Sequence, residues 1–367
     1  MERRDFSKLV GALPALSQAA AQSPKRIKAA MITGAGGAHL NQYFESLARA
    51  EEVASVCLCD PSGESNALAR KLIGAKLTNS YPDTGSLFRK EKPDLAVISM
   101  EAVTSPPAID AALEAGCHVL AEKPGCVRVE DFEKLNRKAK AQSRQLLLAL
   151  ANRVDPVVVE ARRIFQEGKI GKLYGVELHL IADQTRLARP GYGKDWKAQK
   201  ARAGGGHLIW LGIHWLDLAV FVTGSPVRAV TGFTANAGGQ PFDVEDSAVA
   251  AIQFGNGSLG TLISGYYLDK GYHSHLKVWG SQGWLEVQKH TEVPLEWYST
   301  LDPNPQVKRW EKPKGETGDA YQVFIRAVAR ACAGLEPFPL TGDESLAVLK
   351  AVFACYRAAE TGKTQRI

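Results

Sequence analysis

The sequence has few cysteines for its length, and none of them forms a recognisable metal or redox motif. Six cysteines occur in 367 residues, and no two of them make a CxxC pair. Cys57 and Cys59 lie in the apolar run VCLCD, where they resemble small buried side chains of a strand. The cysteine pattern therefore argues against a disulfide framework and against a cysteine metal site.

Long apolar runs and a basic binding surface are also lacking. No segment approaches the roughly 18 uninterrupted apolar residues that indicate a membrane-spanning helix. The net charge is +6, but the 45 lysines and arginines are scattered rather than interleaved with aromatic residues. We therefore expect neither a membrane nor a nucleic acid as partner. A composition of 45% hydrophobic and 23% charged residues is typical of a globular protein, and the length indicates two domains.

The first 24 residues have the features of an export signal. Paired arginines precede a short apolar stretch, LVGALPAL, and small residues that end near Ala21. This order resembles a twin-arginine signal peptide, which directs folded proteins out of the cytoplasm. We predict a signal peptide at 1–24 and a periplasmic or otherwise exported protein. A cytoplasmic protein with an amphipathic N-terminal helix is the alternative.

Strand-like and helical patterns alternate from residue 27 to about residue 151. Apolar runs such as IKAAMIT, VASVCLCD, DLAVISM and HVLA are separated by amphipathic helical runs. This alternation predicts an α/β fold with a parallel, doubly wound sheet. We assign residues 25–150 to a Rossmann dinucleotide-binding domain.

The pattern changes after about residue 152. A long helical run at 154–172 precedes strand-like runs joined by FGNGS and GSQGW, which are typical hairpin turns. Two amphipathic helical runs follow near the C-terminus. For residues 151–367 we predict an α/β substrate-binding domain with a large, mainly antiparallel sheet.

A glycine-rich turn, GAGGAH at 34–39, separates the first strand from the first helix. Glycines at this place let the backbone approach a pyrophosphate at a helix N-terminus. Asp60 ends the next strand, where a carboxylate accepts from the ribose hydroxyls of NAD and repels the 2′-phosphate of NADP. We therefore predict NAD as the cofactor, with NADP less favoured. The alternative is a structural turn and a helix-capping aspartate.

The run GGGHLIWLGIHWLDL at 204–218 places two histidines and an aspartate among large apolar side chains. On a regular helix of about 100° per residue, His207, Trp210, His214 and Asp217 share one narrow stripe. The histidines are about 10 Å apart along such a helix, which is too far for one metal ion to bridge. Two core histidines with a solvated aspartate are one interpretation. Proton transfer or hydrogen bonding to a ligand is the other.

Several motifs in order make residues 27–365 similar to the Gfo/Idh/MocA family, named for glucose–fructose oxidoreductase and inositol dehydrogenase. The run ALEAGCHVLAEKPG contains the family's EKP at 122–124. The Asn152–Arg153 pair, Trp196 eight residues before GGG, and VEDSAVAAIQFGNGSLG match further family elements. The resemblance implies a Rossmann domain followed by a sheet domain whose open face joins subunits, and hence a homo-oligomer, dimer or tetramer.

The resemblance also implies roles for individual residues. Lys123 and His214 match the family's catalytic lysine and histidine, which act near the nicotinamide and on a sugar hydroxyl. The predicted substrate contacts are His207, Trp210, Trp196 and Arg153, with Trp196 and Trp210 as stacked indoles for sugar faces. The predicted cofactor-binding residues are Gly34, Ala35, Gly36, Gly37, His39, Asp60, Ser99, Met100, Glu122, Lys123, Pro124 and Asn152. No metal is predicted.

Two positions depart from the family pattern. Trp210 stands where the family has an aspartate, and SMEAVTS at 99–105 replaces a TPNxxH-like run. Asp217 matches a position that is often acidic in the family, for which a structural role is implied.

We predict an NAD-dependent oxidoreductase that transfers a hydride between a nicotinamide and a hydroxyl of a sugar, glycoside or cyclitol. One alternative is a glycoside lyase or hydrolase that recycles tightly bound NAD through a transient keto-sugar. The other is a non-enzymatic NAD-binding sensor or assembly protein.

Overall fold

Strands and helices alternate through the N-terminal part of the chain, as the apolar patterns predicted. The computed structural model describes residues 26–268, 270–289, 291–311 and 319–367, and the predicted signal peptide at 1–24 lies outside them. The strands are β1 (Ile27–Thr33), β2 (Val53–Cys59), β3 (Leu77–Tyr81), β4 (Leu95–Ser99), β5 (His118–Ala121) and β6 (Leu146–Leu148). The helices are α1 (Leu40–Arg49), α2 (Asn66–Ile73), α3 (Thr84–Lys90), α4 (Ser105–Glu114) and α5 (Val129–Ala141).

Within the described residues these six strands form one parallel sheet in the order β3-β2-β1-β4-β5-β6. The central strands β1 and β4 are almost entirely apolar, because helices cover both faces of a doubly wound sheet. The strand order changes direction between β1 and β4, where such sheets bind ligands at the carboxyl ends of their strands. The glycine turn after β1 and the EKP run after β5 therefore share one edge of the sheet.

Two elements of this domain were not predicted, and β3 shows why. It reads LTNSY, lies at the edge of the sheet and exposes its three middle residues. An edge strand without apolar alternation leaves no periodic pattern in the sequence. The seven-residue α3 that follows is too short to show a helical period.

The C-terminal part combines helices with long strands. Its helices are α6 (Pro156–Gln166), α7 (Lys200–Ala203), α8 (Ile213–Thr223), α9 (Ala320–Cys332) and α10 (Gly342–Thr361). Its strands are β7 (Leu173–Asp183), β8 (Val227–Ala235), β9 (Ser247–Phe254), β10 (Leu259–Leu268), β11 (Tyr272–Gly280), β12 (Gly283–Val287), β13 (Leu295–Ser299), β14 (Lys308–Arg309) and β15 (Gln365–Arg366).

In the part of the chain that the structure describes, these strands form a nine-stranded sheet in the order β14-β13-β12-β11-β7-β10-β9-β8-β15. All neighbouring pairs are antiparallel except β7 and β10, which confirms the predicted mainly antiparallel sheet. The two predicted hairpins join β9 to β10 and β11 to β12. The short strands β13, β14 and β15 were not predicted.

The helical run predicted at 154–172 is shorter in the structure. Helix α6 begins at Pro156, with the Asp155 side chain accepting from the N–H of Val157, and ends at Gln166. Gly168 and Gly171 follow with φ of 72° and 74°, a left-handed conformation that ends a helix. These glycines direct the chain into β7.

The last two long helices return to the Rossmann domain. Helix α9 packs on α1, and α10 packs on α5. Ion pairs reinforce these contacts, with Arg330 3.0 Å from Glu52 and Lys350 2.9 Å from Glu133. The two domains are thus joined along one side, and a groove beside the glycine turn is lined by residues of both domains.

One helical stretch has the length and composition to cross a membrane. It runs from Lys200 to Thr223, and 72% of its most apolar window is buried inside the fold. Such burial is typical of a central core helix, and α8 lies in this stretch.

Candidate active site

The glycine turn after β1 brings the two domains into contact. Gly36 has a φ of 79°, and its carbonyl accepts a hydrogen bond of 2.9 Å from the indole Nε1 of Trp196. Ser99 ties the end of β4 to the same turn, because its hydroxyl donates to the carbonyl of Ala38 at 2.6 Å. A groove of about 360 Å³ runs past Gly36 and Trp196. Both residues were predicted for the site, but Trp196 covers the backbone turn.

Gly37 is the glycine on which the packing of this turn depends most. A Cβ atom at Gly37 would lie 2.2 Å from Thr33 Oγ1 and 3.0 Å from the carbonyl oxygen of Ser99. We expect Gly37→Ala to lower the free energy of unfolding by about 1–3 kcal/mol, the cost of overpacking. Gly34→Ala is the matched control, since its Cβ would meet only Met100 Cε at 3.8 Å. Equal melting temperatures for the two variants would contradict this packing argument.

Asp60 lies at the carboxyl end of β2, as predicted, but its oxygens already have partners. One oxygen accepts from the backbone and hydroxyl of Ser62, and the other accepts from the same two groups of Ser65. Burial raises the pKa of Asp60, but these hydrogen bonds outweigh burial and hold the pKa below its usual value. The side chain is therefore a carboxylate that also caps the turn before α2.

The EKP run places a buried amine at the edge of the parallel sheet. Lys123 is 1% exposed, and its Nζ donates to the backbone carbonyl of Trp210 at 2.6 Å. The same Nζ lies 3.1 Å from the centre of the Trp210 indole. Burial lowers the pKa of Lys123 to about 7, against the opposing influence of Glu122. An amine with this pKa can both accept and donate a proton near neutral pH.

Glu122 holds the start of α1 beside this amine. Its carboxylate accepts from the hydroxyl of Tyr43 at 2.7 Å and lies 2.9 Å from His39 Nδ1. Burial raises the pKa of Glu122, but the His39 ring, the Lys123 amine and these hydrogen bonds outweigh it, so the pKa is lowered. Tyr321 of α9 also reaches His39, with 3.2 Å between its hydroxyl and Nδ1. Glu122 is therefore occupied by protein groups and positions the predicted cofactor residue His39.

The helix that carries both predicted histidines does not begin as a regular α-helix. Residues Leu208–Gly212 form a π-helical turn, and α8 follows from Ile213. The prediction of one narrow stripe from His207 to Asp217 assumed about 100° per residue and is wrong, because a π turn holds more residues per turn. Even so, the charge of Lys123 acts on both His207 and His214, and its amine contacts Trp210, whereas Asp217 pairs with Arg153.

His207 and His214 each keep one buried ring nitrogen without a hydrogen-bond partner among the described residues, Nε2 and Nδ1 respectively. The other nitrogen of His207, Nδ1, lies 2.6 Å from the hydroxyl of Ser264. Burial and then the charges of Arg186 and Lys123 lower the pKa of His207 to about 3. Burial and then the Lys123 charge lower the pKa of His214 well below its usual value. Both rings are therefore neutral, and neither is a fully satisfied core histidine.

Arg153 and Asp217 form a buried ion pair. The guanidinium Nε and Nη2 donate to the Asp217 carboxylate at 2.9 and 2.6 Å, and Nη1 donates to Glu344 at 2.5 Å. Both side chains of the pair are 1% exposed. The interpretation of Asp217 as solvated is wrong, because Arg153 buries it. Arg153 was predicted to bind substrate, but its placement between two carboxylates indicates a structural role.

The predicted stack of Trp196 and Trp210 is also wrong in geometry. The two indoles meet edge to face, 5.5 Å apart and at 85°. Trp210 instead stacks on the His39 ring, with centres 5.9 Å apart and planes 8° from parallel. Trp210 thus lies between the Rossmann turn and the Lys123 amine, at the place where the family pattern has an aspartate.

A cavity of about 560 Å³ opens beside Trp210. Its walls include Arg186, Arg189, Tyr192 and Tyr266, which sequence analysis missed. The first three belong to residues 184–199, between β7 and α7, and connections longer than about 12–15 residues are commonly functional. The length of this connection is the feature of the sequence that could have identified them.

Two further residues complete the description of the site. Asn152, a predicted cofactor residue, accepts from the Lys289 amine at 2.8 Å, and Lys289 also pairs with Asp155 at 3.0 Å. Lys289 was not predicted, although its charge is one of those that lower the pKa of His214. The structure thus brings Lys123, His214 and Lys289 into one electrostatic neighbourhood. The remaining predicted positions, Ala35, Met100 and Pro124, flank these groups in the chain.

One group of side chains elsewhere has distances compatible with metal binding. Glu177 and His179 of β7 and His275 of β11 have ligand atoms within 4.8 Å of one another. The two imidazoles stack with centres 4.4 Å apart, and His275 Nε2 lies 3.2 Å from the Glu177 carboxylate. Within the described residues it is the one such group, and it lies on the large sheet rather than beside Lys123.

Comparison with known protein families matches both domains. Residues 27–150 match an oxidoreductase family with an NAD-binding Rossmann fold, and residues 158–286 match the GFO/IDH/MocA C-terminal domain. These two ranges together span most of the 367 residues.

Individual proteins of known name resemble the chain at moderate identity. D-glucoside 3-dehydrogenase of Escherichia coli is 28% identical over 264 residues, 66% of this chain and 71% of that protein. Myo-inositol 2-dehydrogenase of Thermotoga maritima is 24% identical over 299 residues, 78% of this chain and 84% of that protein.

Solved structures agree in fold over nearly the whole chain. An oxidoreductase domain protein from Kribbella flavida superposes with a TM-score of 0.84 at 21% identity, covering 94% of this chain and 99% of that one. Levoglucosan dehydrogenase in complex with NADH and L-sorbose superposes with a TM-score of 0.82 at 19% identity, with the same coverage. With both domains matched and the fold shared, the chain belongs to the Gfo/Idh/MocA family of NAD-binding oxidoreductases.

Proposed function

We propose that the chain transfers a hydride between NAD and a carbinol carbon of a sugar-like substrate, with Lys123 exchanging the hydroxyl proton. The observation that carries this proposal is the buried amine of Lys123, which has a pKa of about 7 and contacts Trp210, a wall residue of the 560 Å³ cavity. Relatives named for glucoside, inositol and levoglucosan dehydrogenation support the substrate class.

The glycine turn fits a dinucleotide. Gly34, Gly36 and Gly37 carry no Cβ atoms just before the start of α1, and the Trp196 indole binds the Gly36 carbonyl from the other domain. Bare backbone at a helix N-terminus is what a pyrophosphate needs for close approach. Bound there, NAD would supply the hydride acceptor for oxidation.

Asp60 supports NAD over NADP. Its hydrogen bonds keep it ionised, and the residues that follow it, PSGES, contain no arginine or lysine. A 2′-phosphate would therefore meet a carboxylate without a compensating cation. Competition of NAD and NADP for the purified protein, measured by calorimetry, tests this preference.

The proton of the substrate hydroxyl would pass to the chain's own groups. The neutral Lys123 amine accepts this proton as the carbinol C–H bond breaks, and the protonated amine returns it in the reverse reaction. His214 remains neutral beside Lys123, and its free Nδ1 can accept a hydrogen bond from the substrate or from the amine. The Trp210 carbonyl and ring hold the amine in place.

A panel of sugars and glycosides tests the proposal. We expect the protein to retain nucleotide or to bind added NAD, and a substrate to raise the absorbance and fluorescence of reduced nicotinamide. Release of an aglycone without net reduction would favour a self-recycling lyase or hydrolase instead. A protein that binds no nucleotide would contradict the proposal.

The pKa of Lys123 predicts the pH dependence. Below about pH 7 the amine is protonated and cannot accept a proton, so kcat/KM for oxidation should rise with pH through about 7 and then level off. For the reverse reaction, reduction of the keto-sugar, kcat/KM should fall with pH through about 7. Titration of His214 should not alter kcat/KM above pH 6.5, since its pKa is lowered well below that value.

Trp210→Asp provides a matched test of this assignment. A carboxylate facing the amine favours the protonated form, so the rise in kcat/KM should move to higher pH. Trp210→Phe keeps an aromatic ring and should leave the midpoint near that of the parent. A midpoint that is identical in all three proteins would assign the titration to another group.

We further propose that the chain self-associates through the open face of the large sheet. Phe233 is 79% exposed there, and Val249, its cross-strand neighbour, is 48% exposed. Exposed apolar side chains on a sheet face favour association. Light scattering of the parent and of Phe233→Lys tests this proposal. Export through residues 1–24 remains a prediction from the sequence.

A further inference from the structure

We propose that the substrate of this site is anionic, a sugar-like compound whose carboxylate or phosphate group is held by the guanidinium of Arg186. The inference rests on the hydride transfer proposed above and specifies the class of compound that undergoes it.

The walls of the 560 Å³ cavity carry an excess of positive charge. Among the described residues, Arg186, Arg189 and Lys197 line the cavity, against one acidic residue, Asp195. Asp195 is already paired with Lys197, whose Nζ lies 2.8 Å from its carboxylate. The two arginines therefore leave a net positive charge in a cavity that a neutral sugar would not need.

Arg186 is held in place by aromatic groups. Its guanidinium lies 5.5 Å from the ring centre of Tyr266 and 5.4 Å from that of Tyr272, and Nη2 donates to the Tyr272 hydroxyl at 3.1 Å. Within the described ranges no carboxylate forms an ion pair with it; Asp183 influences it only at a distance. The charge of a guanidinium fixed in this way remains available to a ligand.

Two buried nitrogens near the wall residue Tyr266 lack partners among the described residues. Arg186 Nε and His207 Nε2 are both inaccessible to solvent, and neither has a hydrogen-bond partner in the described part of the chain. The His207 ring packs edge-on against Tyr266, 4.4 Å between centres, on the ring that Arg186 also contacts. Because Nε is closed to solvent, an anion in the cavity would be bound by the terminal nitrogens of Arg186, through charge-assisted hydrogen bonds.

Glu245, a buried carboxylate whose charge acts on the wall residue Tyr192, does not cancel this charge. Glu245 is bound by the backbone N–H groups of Gly206 and Leu208 and by the hydroxyl of Tyr356. Burial raises the pKa of Glu245 against these hydrogen bonds. A planar guanidinium presents paired N–H groups that match the oxygens of a carboxylate or a phosphate, which makes either group a suitable occupant.

Three compounds that share one ring test the inference: glucose, glucuronate and glucose 6-phosphate. Binding is measured by calorimetry on the NAD-loaded protein, and turnover by the reduced nicotinamide signal. We expect at least one anionic compound to bind about 10-fold or more tightly than glucose. A preference for glucuronate identifies a carboxylate subsite, and a preference for glucose 6-phosphate identifies a phosphate subsite.

Variants assign the preference to Arg186. Arg186→Met should weaken binding of the preferred anion about 10- to 100-fold and leave glucose binding unchanged. Arg186→Lys should restore part of the loss, because the charge returns without the planar fork. Lys200→Met is the matched control, since this exposed cation is paired with Glu360 away from the cavity walls.

The outcomes separate this inference from the proposed function. Equal or tighter binding of glucose, or equal losses for all three compounds in Arg186→Met, would overturn the anionic substrate while leaving hydride transfer intact. Binding of the anion without nicotinamide reduction by any compound would uphold the subsite and overturn the proposed function. If Arg186→Met does not fold, Arg189→Met at the neighbouring exposed arginine replaces it. We expect that variant to lose less affinity, and only for the anionic compounds.

Discussion

Replacing Lys123 with alanine is expected to lower kcat/KM about 10²- to 10⁴-fold, the usual contribution of a positioned acid or base. The amine is buried against the carbonyl and ring of Trp210, a cavity wall residue, and its pKa of about 7 suits it to exchange a proton near neutral pH. NAD binding should persist, because the glycine turn that would hold the pyrophosphate is formed by other residues. Steady-state kinetics and calorimetry of the same preparation measure both quantities.

A second lysine separates this effect from general damage to the fold. Lys76 also donates to a backbone carbonyl, that of Ala50 at 2.6 Å, but it lies at the far end of the Rossmann domain. Lys76→Ala should therefore keep kcat/KM within a few fold of the parent. Added methylamine should partly restore the activity of Lys123→Ala. Activity of Lys123→Ala within 10-fold of the parent would remove Lys123 from the proton transfer.

Asp217→Ala is expected to lower the free energy of unfolding by about 3–5 kcal/mol, the usual cost of leaving one partner of a buried ion pair alone. The Arg153 guanidinium would then keep only Glu344, whose side chain is 43% exposed. Chemical denaturation of the parent and the variant measures the difference. The effect should be among the largest of any single charge removal in the chain, because both partners of this pair are 1% exposed.

Two further variants define the origin of that loss. Arg153→Met combined with Asp217→Leu removes both charges and should recover most of the stability, since an apolar pair requires no compensation. Glu360→Ala breaks the exposed pair with Lys200 and should cost about 0–1 kcal/mol. If the double variant is as unstable as Asp217→Ala, the loss of stability does not come from leaving one buried charge without its partner.

Much of the Rossmann domain could be predicted because its elements are local. Each central strand is a continuous apolar run and each longer helix an amphipathic one, so β1, β2, β4 and β5 follow from patterns of a few residues. The edge strand β3 could not be predicted because its exposed positions accept polar residues, so it has no apolar pattern. The same applies to β14 and β15, which are two residues long and depend on their neighbours in the sheet.

Some residues of the candidate site could likewise be predicted from the sequence, and others could not. Lys123 follows a strand and His214 lies on an apolar helix, so motif order alone could bring both to attention. The surroundings of these residues could not be predicted, because the π turn at Leu208–Gly212 breaks the angular spacing on which helical predictions rest. Arg186 lies in a connection without any periodicity, so its approach to Tyr266 could not be anticipated.

The sequence by itself determined the fold class, the place of the glycine turn and of the lysine, and the family, because each depends on short-range pattern and order along the chain. Only the tertiary structure decided the ionisation and the contact partners of the charged and aromatic groups. Arg153 meets Asp217 across 64 positions of sequence, and Trp210 covers the amine of Lys123 across 87. Ionisation and hydrogen bonding depend on burial and on neighbours within a few ångströms, and those neighbours come from distant parts of the chain.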